Sequence, residues 1–82
     1  MYMFAKENEK SNEAFVIYEY VKDKKRFLTT DGKLSGYLVK AQLFATHTFA
    51  ERFGRNIYNE WEQLNKDGKV GVATVNAMKY TS

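Results

Sequence analysis

The sequence predicts an α+β fold: a small two-layer domain in which an antiparallel sheet packs against one long helix, in the approximate order β-β-(short element)-α-β. Three observations predict it. Two apolar runs flank a charged turn within residues 14–30, Phe49, Phe53, Ile57 and Trp61 recur at four-residue intervals, and residues 70–80 alternate in character. Runs of β-branched and aromatic residues suit a pleated surface, whereas recurrence every four lays a stripe along a helix. At 82 residues the chain makes one unit that buries only about 60–65% of its unfolded surface, so each large apolar side chain serves the core or a partner.

The lead, residues 1–13, carries five charges and reads as a mobile segment unless Tyr2 and Phe4 add an edge strand; residues 14–82 form the domain. Residues 14–21 have strand composition, but both alternating sets, Phe15/Ile17/Glu19/Val21 and Ala14/Val16/Tyr18/Tyr20, are largely apolar, and either can face inward. Asp23-Lys24-Lys25 interrupts the run and Phe27-Leu28 resumes it, which makes a hairpin. Asp31-Gly32 adds a second turn, because Gly accepts positive φ and Asp hydrogen-bonds locally. Tyr37-Leu38-Val39 suits a short strand, while residues 39–44 suit an irregular or helical connection. Thr48 with Glu51 matches a capping box, Thr46 is the alternative cap, and the stripe extends the helix to Leu64. Gly54 marks a bend or a close contact within it. After Asn65-Lys66-Asp67-Gly68 the alternation of residues 70–80 gives a final strand with one small-residue face, or a partly helical end at Ala77-Met78.

Composition narrows the function. The absence of cysteine excludes disulfides, thiolate nucleophiles and zinc knuckles, and no apolar run approaches the roughly 20 residues of a membrane span. A cytoplasmic, non-enzymatic protein without cofactor or metal is expected, with no membrane partner. His47 has no acid or nucleophile at motif spacing, and Glu60 and Glu62, two apart, do not share a helix face. Asp31-Gly32-Lys33-Leu34-Ser35-Gly36 has its glycines one residue too close for a phosphate loop, and Asn65-Lys66-Asp67-Gly68 lacks the closing Glu of a calcium loop.

Charge and rings are more informative. Residues 14–45 hold six basic and three acidic side chains, densest at Lys22, Lys24, Lys25 and Arg26. Six Phe, six Tyr and Trp61 exceed what so small a core buries evenly, and tyrosine joins contact area to a polar handle. Tyr18, Tyr20 and Tyr58 are therefore candidate aromatic contacts for a protein partner, with Lys24, Lys25 and Arg26 as rim charges. The alternative is single-stranded nucleic acid, with the same cations on phosphates and the tyrosines stacking on bases. An uncapped edge on the final strand also allows a homodimer.

Phe15-Val16-Ile17, then Arg26-Phe27-Leu28-Thr29-Thr30-Asp31-Gly32, then Ala41-Gln42-Leu43-Phe44-Ala45-Thr46 and Ala50, resemble short proteins encoded by phages and prophages of low-GC Gram-positive bacteria. The resemblance spans residues 14–53, rests on a hairpin followed by an Ala-x-x-Phe segment, and supplies no catalytic residue. It implies a phage origin, a location in the host cytoplasm, and a small inhibitor or regulator that binds a host or defence protein.

Overall fold

The computed structural model of the chain describes residues 13–76. Strands β1 (Glu13–Val21) and β2 (Lys24–Leu28) make the expected hairpin, and β3 (Leu34–Ser35) follows. A 3-10 turn (Leu38–Lys40) leads to helices α1 (His47–Ile57) and α2 (Trp61–Lys66) and then to β4 (Val70–Asn76). The sheet is antiparallel throughout with strand order β3-β2-β1-β4, and the helices pack on one face of it: the α+β class read from the sequence.

The hairpin turns on Lys22 and Asp23, at φ 53° and 69°. Positive φ at both central residues matches the right-handed twist of the flanking strands, although L side chains rarely adopt it. The resulting register sets Tyr20 opposite Lys25, Glu19 opposite Arg26 and Tyr18 opposite Phe27. Glu13 already pairs with Asn76 and so belongs to β1. An edge strand at Tyr2 and Phe4 and a helical end at Ala77-Met78 both lie outside the described residues.

The inward face left open by the sequence is that of Phe15 and Ile17, which join Leu28, Phe44, Ala50, Trp61 and Val70 in the core. Ala14 and Val16, on the opposite face, are also buried. Tyr37-Leu38-Val39 forms no strand: Leu38–Lys40 takes a single 3-10 turn. The chain then closes the gap where β2 leaves β1. Phe44 exchanges backbone hydrogen bonds with Phe15 at 2.8 and 2.9 Å, and Gln42 donates to the Leu28 carbonyl at 2.9 Å.

The helical stretch expected over residues 47–64 is divided. Each four-residue step turns about 400°, so a strict i+4 stripe precesses by about 40° per step and leaves the core face of a straight helix. Phe49 and Ile57 are accordingly exposed, α1 buries Ala50 and Gly54, and the extended Tyr58 breaks the helix so that α2 returns Trp61 to the core. The cap is Thr46 rather than Thr48: its hydroxyl accepts from Phe49 N–H at 3.0 Å, and Thr48 lies inside the first turn.

Candidate functional site

Strand alternation decides which candidate residues meet. Tyr18, Tyr20 and Lys25 project from the face away from the helices, since Tyr20 and Lys25 are cross-strand partners and Tyr18 is their diagonal neighbour. The tyrosine rings meet edge to face with centroids 5.7 Å apart. The Lys25 ammonium lies 4.6 Å from the centre of the Tyr18 ring and 5.7 Å from that of Tyr20, both within cation–π reach. Tyr20 is 42% exposed and Tyr18 half-buried. An exposed cationic and aromatic platform therefore sits beside the hairpin turn.

Gly71 allows the platform to form. It pairs with Tyr18 across the β1–β4 ladder, and a Cβ there would meet the Tyr18 hydroxyl and lie 2.6 Å from Cζ, so the ring lies over the glycine backbone. This residue was missed as part of a site in the sequence; its signal was the small-residue face of the last strand.

The other candidates lie elsewhere. Lys24 and Arg26 alternate to the helix-side face, where the Arg26 guanidinium approaches Gly36. Tyr58 is half-buried between the layers: its ring packs against Trp61 with centroids 5.9 Å apart, and its hydroxyl donates to the Glu19 carboxylate at 2.8 Å. Burial, and then the Glu19 contact, push its phenol far above the ordinary tyrosine range. The basic cluster of the sequence is thus split between two faces.

The Asp31 turn is closed on itself. The Thr29 hydroxyl donates to the Asp31 carboxylate, which holds that carboxyl below its usual range, and accepts from Lys33 N–H at 3.2 Å. An open depression of about 520 Å³ beside it is lined by Thr30, Lys33, Ser35 and Lys40, among others. His47, at the first position of α1, sits edge-on to Phe15 and 3.8 Å from Glu51. Among the described residues no three His, Asp or Glu side chains converge to hold a metal, and no helix is long and apolar enough to cross a membrane. No protein-family model, curated protein or solved structure matches the chain.

Proposed function

We propose that this is a small non-enzymatic protein-binding module whose contact surface is the Tyr18–Tyr20–Lys25 platform on the open end of the sheet. The phage resemblance extends the reading to a stoichiometric inhibitor or regulator of a host or defence protein, acting in the host cytoplasm. The observation that carries it is the Lys25 ammonium seated on two tyrosine rings, one of them 42% exposed. Aromatic anchors with a paired cation supply large contact area at little ordering cost, because their neighbours already fix the rings. Base stacking fits less well. Lys25 occupies ring surface that a base needs, and Lys24 and Arg26 alternate to the other face instead of continuing a phosphate track.

The test is capture from a lysate of the host bacterium, with and without nuclease, comparing the unaltered chain with Tyr20→Ala and Lys25→Glu. One dominant protein should survive nuclease treatment and be lost, about tenfold or more, with either variant while circular dichroism stays unchanged. Capture that vanishes with nuclease or moderate salt would replace this reading with single-stranded nucleic-acid binding.

A further inference from the structure

We propose that the outer edge of β4 pairs antiparallel with β4 of a second copy of the chain, centred on Ala73 opposite Ala73, to give one continuous eight-stranded sheet. The phase of the β1–β4 ladder fixes which backbone groups of β4 face outward. Tyr20 N–H donates to the Lys69 carbonyl at 2.9 Å, beside the Glu19–Val70 pair, so that pair is of the non-hydrogen-bonded kind. It follows that Gly71, Ala73 and Val75 aim their backbone groups at β1, while Val70, Val72 and Thr74 aim theirs outward. The Val70 carbonyl already accepts from the Asn65 side chain at 2.9 Å. Among the described residues nothing takes the N–H or C=O groups of Val72 and Thr74.

An open edge of this kind ordinarily carries a charge, a proline or a bulge that discourages pairing. The segment Val70–Asn76, Val-Gly-Val-Ala-Thr-Val-Asn, has no charge and no proline, whereas the opposite edge of the sheet is the two-residue β3. Its sequence is also self-complementary. In the register centred on Ala73, Val72 of each copy faces Thr74 of the other, so these two residues, whose outward backbone groups take no partner among the described residues, exchange four hydrogen bonds. Ala73 meets its symmetry mate at a non-hydrogen-bonded site, where Cα atoms approach to about 4.5 Å and small side chains fit best. Gly71 then faces Val75, leaving room beside the Tyr18 ring.

Each copy carries the same net charge, so what matters is how far apart the pairing holds the lysines. The chain carries +3, with Lys22, Lys24 and Lys25 at the hairpin turn near the Val70 end of β4. Antiparallel pairing about a two-fold axis sends the two turns to opposite ends of the joined sheet and leaves an uncharged seam between the copies. Both tyrosine platforms then share one face, and the dimer is bivalent. A seam one strand long is smaller than a standard protein interface, which places the association in the weak, concentration-dependent class.

Analytical ultracentrifugation over a range from low micromolar to near millimolar concentration tests the pairing. The mass should rise from 9.6 kDa towards twice that value, and the Val72 and Thr74 amides should gain hydrogen-exchange protection in parallel. Thr74→Pro removes only an outward N–H, so it should keep the monomer's circular dichroism and abolish the rise. Ala73→Cys, in a chain with no other cysteine, should form a disulfide-linked dimer under oxidising conditions. A mass that stays at the monomer value throughout, a Thr74→Pro variant that still dimerises, or exchange at Val72 and Thr74 that ignores concentration would each overturn the proposal. Target capture at concentrations where the chain is monomeric separates this outcome from the platform's, because one platform suffices for capture.

Discussion

Tyr58 ties the two layers through a single hydroxyl. Its donor bond to Glu19 joins the helix break to the central strand, and burial disfavours the phenolate that would otherwise form in alkali. The folded form therefore holds this proton to higher pH than the unfolded chain, whose tyrosine titrates near 10.0. Above that pH the native state binds more protons than the unfolded one, so stability falls as pH rises. Urea denaturation from pH 8 to 11 should show this decline, and Tyr58→Phe should flatten it. At neutral pH the same variant should cost about 1–2 kcal/mol, since Glu19 loses a donor. The sequence could not distinguish this tyrosine from Tyr20. Both offer a ring and a polar handle, and only the partner that each handle finds separates a layer tie from an exposed anchor.

Among the elements, what was readable was whatever depends on local pattern, and what was not depends on neighbours. The hairpin, the final strand and the presence of helix follow from runs and spacing. The inward face of β1 does not, because β1 is central in the sheet and is buried on both sides, with Ala14 and Val16 on one and Ile17 on the other. The Lys22-Asp23 turn was equally hidden, since two-residue hairpins usually announce themselves with Asn-Gly or Asp-Gly. Alternation from that turn is what gathers Tyr18, Tyr20 and Lys25 and parts them from Lys24 and Arg26. For α1, Thr46→Ala should destabilise the protein by about 1 kcal/mol by orphaning the Phe49 amide, whereas Thr48→Ala should have little effect or a slight gain in helix propensity. Thermal unfolding of the pair measures the difference, and equal losses would mean that Thr48 shares the cap.

The whole molecule depends on two helices reaching the same sheet face from either side of a break. Gly54 makes this possible: a Cβ there would lie 2.5 Å from Cζ3 of Trp61, 2.7 Å from Cε3 and 2.8 Å from Cη2, so the indole lies directly against the α1 backbone. The indole is 3% exposed and packs with Ile17 and Val70, which leaves it little space to retreat. An alanine at position 54 gains about 1 kcal/mol of helix propensity but forces overpacking that costs about 1–3 kcal/mol, so a net loss is expected. The two effects separate in a double-mutant cycle. Gly54→Ala alone should lower stability, yet in a Trp61→Phe background, which removes much of the obstructing ring, the same change should become neutral or stabilising. Far-ultraviolet circular dichroism in urea reads all four species without depending on the tryptophan. An unchanged penalty in the Trp61→Phe background would show that Gly54 is required by the α1 backbone itself rather than by the seam between the helices. A penalty that disappears would identify this contact as the one that fixes both helices over β1 and β4, and so holds the sheet that presents the Tyr18–Tyr20–Lys25 face.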